Sequence, residues 1–193
     1  EGADADPEGR DKGYALEFAY LGGFLLCSNA DDLQQPYIVS LLTEYGISFD
    51  MRSFIFASGF FASALVSPAV GKLADVFGRK LICVSLFCGC YTICYVLRHF
   101  ASAVAQVFSI ISYRVGNVVL QTVFEAWLVH KHSAGGYSPA VLQRILADAA
   151  LLSSVTAILT SFGSQLLIGI SPMVRAEGSI FYFGGELWST DFA

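Results

Sequence analysis

The chain has 193 residues, 55% of them apolar and only 14% charged, with a mean hydropathy of +0.60 and a formal net charge of −5. That balance excludes an ordinary soluble domain. Apolar stretches recur instead at membrane-spanning length, about 20 residues at ~1.5 Å rise each, which predicts an all-α, multi-pass membrane protein in contact with the lipid bilayer. About five spans are expected, at 14–44, 53–74, 81–98, 103–129 and 142–170.

Residues 1–13 hold five acids between Glu1 and Asp11 and read as a polar, disordered tail. The tail lacks the basic and short apolar regions of a signal peptide, and the missing initiator methionine points to a fragment or a trimmed chain. The first span carries Asp31-Asp32-Leu33-Gln34-Gln35-Pro36-Tyr37 inside its apolar run. Asp31 lies about 17 residues from Tyr14, roughly 26 Å along a helix, at or beyond the midplane. Pro36 should bend the helix and free a carbonyl, and a kinked polar segment of this kind lines the substrate paths of transporters. A solvated acid pair at the outer interface is the alternative.

Between the second and third spans lies a charged hairpin bracketed by glycines, Gly71-Lys72-Leu73-Ala74-Asp75-Val76-Phe77-Gly78-Arg79-Lys80. Asp75 and Arg79 are four apart and can pair, and Gly71 allows close helix approach. On the third span Cys83, Cys90 and Cys94 share a face; tight helix packing is the expectation, a thiolate metal site the alternative. The fourth span aligns Arg114, Asn117, Gln121 and Glu125 at spacings of three, four and four, so one polar stripe should face the bundle interior. The guanidinium of Arg114, near the midplane, is suited to a multi-oxygen anion; an ion pair with Asp31 or Asp148 is the alternative, and the two roles can coexist. On the fifth span Arg144 and Asp148 are positioned for a local pair, and Thr156, Thr160 and Ser164 form a small-residue packing stripe. Residues 171–193 open on a helix-breaking Ser171-Pro172 and are too short and polar to span; they read as a divergent or truncated end.

Basic residues set the orientation. With the 71–80 loop in the cytoplasm, Arg10, Lys12, Lys72, Arg79, Lys80, Lys131 and Arg144 lie inside and Arg52, Arg98 and Arg175 outside, a split of seven to three that predicts a cytoplasmic N-terminus.

Gly71, Leu73, Asp75, Gly78, Arg79 and Lys80 match the signature that joins the second and third helices of major facilitator superfamily transporters. Two more segments, Asp32-Leu33-Gln34-Gln35-Pro36-Tyr37 and Phe124-Glu125-Ala126-Trp127-Leu128-Val129-His130-Lys131-His132, resemble the molybdate-anion transporter family of that superfamily. The resemblance covers about 14–170. It implies a bundle of about twelve helices in two halves, of which this chain supplies about five, and uptake of molybdate or a similar oxyanion by alternating access across a membrane, with the plasma membrane favoured. It also implies that Asp75, Arg79 and Lys80, with Gly71 and Gly78, serve a cytoplasmic gate that closes against the missing C-terminal half.

On this reading Arg114 is the charge partner of the anion. Asn117, Gln121, Gln34, Gln35 and Tyr37 are neutral donors, and Asp31, Asp32 and Glu125 are candidates for proton coupling. A truncated, non-transporting membrane protein and a carrier of another solute are the alternatives. There is no nucleophile–base pairing, phosphate-binding glycine loop or His/Cys cluster at metal spacing, so no enzyme activity, cofactor, metal or nucleic-acid partner is expected.

Overall fold

The computed structural model describes residues 7–169, 173–175, 181–187 and 191–192. Among the described residues, helix α1 spans Pro7–Gln34. Residues 7–13, expected in the disordered tail, therefore extend the first helix; 1–6 lie outside the described residues. Pro36 interrupts the rod as expected: Gln35–Tyr37 tighten into a 3-10 turn and α2 (Ile38–Glu44) continues beyond it.

Gly46, at φ +72°, turns the chain, and the Ser48 side chain caps α3 (Phe49–Phe77) by accepting from the Met51 N–H. Only Gly78 separates α3 from α4 (Arg79–Arg98), at φ +94°, where a side chain would be strained. Helix α5 (Ala103–Gly135) ends on the left-handed Gly136, and α6 (Pro139–Ile168) starts on a proline, whose fixed φ and missing N–H suit a first turn.

Helix α5 is the centre of the bundle. It packs along α4 and α3 on one side and touches α1 on the other, while α1 pairs with α6. The main core holds Ile55 and Val70 of α3, Phe87, Tyr91 and Cys94 of α4, and Ile110, Tyr113, Val119, Leu120 and Val123 of α5. A smaller cluster ties α1, α5 and α6 through Tyr20, Leu128, Ile145 and Ala149. Two glycines permit close approaches between helices. A Cβ on Gly59 would meet the Arg114 side chain at 3.0 Å, and one on Gly116 would fall 2.5 Å from the Tyr91 ring.

Among the described residues four helices are long and apolar enough to cross a bilayer: Phe49–Phe77, Arg79–Arg98, Ala103–Gly135 and Pro139–Leu166. The first of the five expected spans is not among them, because its acids and amides dilute its apolarity and are used inside the bundle. Phe60, Phe61, Leu65, Phe162 and Leu166 stand exposed on α3 and α6, the surface expected of helices whose solvent is lipid or further helices.

Beyond α6 the chain folds back on the α4–α5 turn. Strands β1 (Val174–Arg175) and β2 (Tyr182–Phe183) form a short antiparallel ribbon, and Phe181 bridges Phe100. The Tyr182 N–H donates to the His99 carbonyl at 2.8 Å. His99 contacts the Tyr182 carbonyl through Nδ1 at 2.8 Å and Asp191 through Nε2 at 2.9 Å. Ser40 of α2 bonds Glu186, and Leu187 is fully buried.

Candidate substrate cleft

Asp31 is the hub of the bundle interior. It is 5% exposed and accepts three hydrogen bonds: from the Tyr91 hydroxyl of α4 at 2.5 Å, from Asn117 Nδ2 of α5 at 3.2 Å, and from Gln35 Nε2 at 2.7 Å. A buried carboxylate is tolerated only when its lone pairs are satisfied, and three donors from three elements do that. Tyr91 is itself fixed. It stacks on Phe87 at 4.2 Å, meets Tyr95 and Tyr113 edge-on, and fills the space left by the absent side chain of Gly116.

Around this hub α1, α5 and α6 enclose a cleft of about 440 Å³. Asp31, Asp32, Ser28 and Gln35 line it from α1 and the kink, Asn117 and Gln121 from α5, and Ser153 and Ser154 from α6. Gln35, Gln121 and Ser154 are exposed at its mouth. The lining is rich in hydrogen-bonding groups, carries two carboxylates and contains no cation among the described residues.

The structure thus brings together five residues singled out in the sequence, Asp31, Asp32, Gln35, Asn117 and Gln121, and sets four others apart. Gln34 is buried against α4 and does not line the cleft, donating to the Ala30 carbonyl and the Tyr95 hydroxyl at 3.3 and 3.4 Å, with its Oε1 unpartnered. Tyr37 donates to Gln165 of α6 at 3.0 Å. Glu125 lies one turn past Gln121 and is exposed.

Arg114 turns toward α3, with its guanidinium 4.0 Å from the Phe60 ring centroid and 5.5 Å from that of Tyr113, and with a buried Nε that has no hydrogen-bond partner. It pairs with neither Asp31 nor Asp148. The expected Arg144–Asp148 pair is also replaced, because Arg144 reaches across to Glu17 of α1 at 2.7 Å. An inter-helix partner outcompetes a local one where α1 and α6 lie side by side.

The hairpin behaves as its spacing dictates. Arg79 bonds Asp75 at 3.0 Å and donates to the Ala126 carbonyl of α5 at 2.8 Å, tying the turn to the end of the fourth span. Lys80 is exposed beside Trp127, His130 and Lys131 along a groove of about 740 Å³. Gly71 departs from expectation: a Cβ there would meet nothing within 4 Å, so within this chain it serves no close approach.

The five cysteines are free thiols, and Cys94 meets the Ser109 hydroxyl at 3.4 Å, a packing contact between α4 and α5. Thr160 and Ser164 contact Asn29 and the Leu33 carbonyl of α1, in keeping with a packing stripe. Sequence reasoning missed Tyr91, Tyr95, Ser28, Ser153 and Ser154. Hydroxyls scattered in apolar helices were the only signal, and spacing along one helix does not tell which of them meets Asp31.

Long apolar helices packed around an interior polar cleft, with a charged glycine hairpin at one end, define an integral multi-pass membrane protein. The chain belongs to a family of the major facilitator superfamily described as sugar transporters with twelve transmembrane helices, whose profile matches residues 4–175. Two curated relatives are molybdate-anion transporters. That of Danio rerio is 29% identical over 113 residues, covering 58% of this chain and 23% of the relative. That of Takifugu rubripes is 28% identical over 121 residues, 61% of this chain and 24% of the relative. The chain spans about a quarter of the length of these relatives. No solved structure matches.

Proposed function

We propose that this chain forms one wall of a secondary carrier that takes up molybdate, or an oxyanion like it, by alternating access. The observation that carries this reading is the polar cleft at the kink of α1, where Gln35, Asn117 and Gln121 offer amide donors. The names of the two curated relatives support the choice of molybdate.

A dianion entering this cleft meets Asp31 and Asp32. Two like unit charges about 4 Å apart repel by roughly 4 kcal/mol at an effective dielectric of ~20, so a cation or a proton must offset them. Arg114, three residues before Asn117 on α5 and with an unpartnered Nε, is the cation we assign to this role. Reaching the anion requires it to leave the Phe60 ring, a cation–π contact of about 0.5–2 kcal/mol. In this reading the N-terminus and the 71–80 hairpin are cytoplasmic, the protein sits in the plasma membrane, and Asp75, Arg79 and Lys80 form a gate that closes against a second half of the carrier.

The test is uptake by the complete protein in cells that lack their own molybdate import, with sulfate, tungstate and a hexose as competitors. Molybdate accumulation that tungstate blocks and the hexose does not is the expected result. Hexose uptake without molybdate uptake would favour a sugar carrier, in line with the family description. Wild-type uptake in a normally expressed Arg114→Ala variant would remove Arg114 from the site.

A further inference from the structure

Two adjacent acids face one cleft, and their surroundings differ in kind. Asp31 accepts from Tyr91, Asn117 and Gln35. Asp32 is half-buried, lines the same cleft and accepts no hydrogen bond from the described residues. A proton on Oδ2 of Asp31 would turn an acceptor into a donor pointed at the Asn117 and Gln35 amide nitrogens, which only donate, and a proton on Oδ1 would end the donation from the Tyr91 hydroxyl. A proton on Asp32 displaces no partner.

We infer that the two acids divide the work: Asp32 is the carboxylate that takes up and releases the coupling proton, and Asp31 is a positioning residue that stays bonded to Tyr91 and Asn117 throughout. This rests on the carrier reading above. In the step itself, a hydronium ion on the entry side gives its proton to a carboxylate oxygen of Asp32, forming one O–H bond and leaving water. On the exit side that O–H bond breaks and water takes the proton. No electron transfer or further reactant is involved.

The groups that face Asp32 leave no other candidate in the cleft. From its own helix there is Asp31; from α5 come the neutral Asn117 and Gln121; from α6 come the neutral Ser153 and Ser154. Helix α4 reaches the cluster through Tyr91, already committed to Asp31. Arg114 is held over Phe60, and Glu125 is exposed a turn beyond Gln121. Neutralising Asp32 as a dianion enters removes one of the two negative charges it would meet.

The experiment uses the full-length carrier in proteoliposomes, with molybdate as probe. Asp32→Asn should lose at least tenfold in accumulation driven by a pH gradient, and the uptake that remains should show a flat pH profile. Asp31→Asn and the milder Tyr91→Phe should slow transport but keep the wild-type pH profile.

A second measurement needs no substrate. In pH-difference infrared spectra, the carboxyl C=O band that titrates in the wild type should vanish in Asp32→Asn and persist in Tyr91→Phe. A wild-type pH profile in Asp32→Asn, or a titrating band lost only when Asp31 is changed, overturns the inference. A wild type that does not carry molybdate sinks the substrate reading alone, and the infrared spectra still decide between the two acids.

Discussion

The hairpin at Gly71–Lys80 and the junction around Asp31 are both built on an aspartate, and they differ in reach and in burial. Asp75 is 65% exposed and pairs with Arg79 one turn away, whereas Asp31 is 5% exposed and is held by Tyr91 and Asn117, 60 and 86 residues along the chain. A solvated i,i+4 pair contributes about 0.3–0.5 kcal/mol. A buried polar group left without its partner costs about 1–3 kcal/mol. The more conspicuous motif is therefore the weaker stabiliser, and its value lies in what it contacts during the transport cycle.

The largest expected effect follows from emptying the junction. Asp31→Ala strands the Tyr91 and Asn117 donors in the interior and should destabilise the purified protein by about 3 kcal/mol, measured by denaturant unfolding in detergent. A loss below about 1 kcal/mol would mean that water replaces the carboxylate, and the contrast with the hairpin would collapse. Gly116→Ala drives a methyl group into the Tyr91 ring and should cost about 2 kcal/mol; pairing it with Tyr91→Ala should recover part of that loss in a double-mutant cycle.

The turn should respond more mildly. Gly78→Ala imposes a side chain at φ +94° for about 1–2 kcal/mol of strain. Asp75→Asn should shift stability by no more than about 0.5 kcal/mol, yet alter the transport rate of the complete carrier if the pair belongs to a gate. A stability loss as large as that of Asp31→Ala would erase the distinction.

The smallest effect is local and sharpens the comparison with a third, half-exposed site. The hydrogen bond to Asp191 raises the His99 pKa above its usual value, with the Tyr182 carbonyl adding to this and burial opposing it. The folded value is the raised one, so docking of residues 181–187 is fully supported below about pH 6.5. That support is lost as pH rises through the raised value. Amide protection at 181–187, corrected for intrinsic exchange, should fall between pH 6 and pH 9 in the wild type and stay flat in His99→Gln.

Local chemistry was legible in the chain. The Pro36 interruption, the Gly78 turn and the Asp75–Arg79 pair each depend on residues within one turn of each other, so spacing alone predicts them. The polar stripe on α5 was legible only in part. Asn117 and Gln121 do reach the cleft, but Arg114, on the same nominal face, is drawn to Phe60 because Gly59 leaves room for its side chain at the α3 surface. The Arg144–Asp148 expectation failed for a related reason: a helix-to-helix neighbour, Glu17, offered a better partner than the next turn.

By itself the sequence determined that this is a helical membrane chain, where its helices bend and turn, and which superfamily it joins, because hydropathy, proline, glycine and i,i+4 spacing act over short distances. Only the tertiary structure decided that Asp31 is bonded while Asp32 is open, that Tyr91 belongs to the site and that Arg114 stands outside the lining of the cleft. Those outcomes depend on which helices lie side by side and on how closely two glycines let them approach, and neither is written in the periodicity of any single helix.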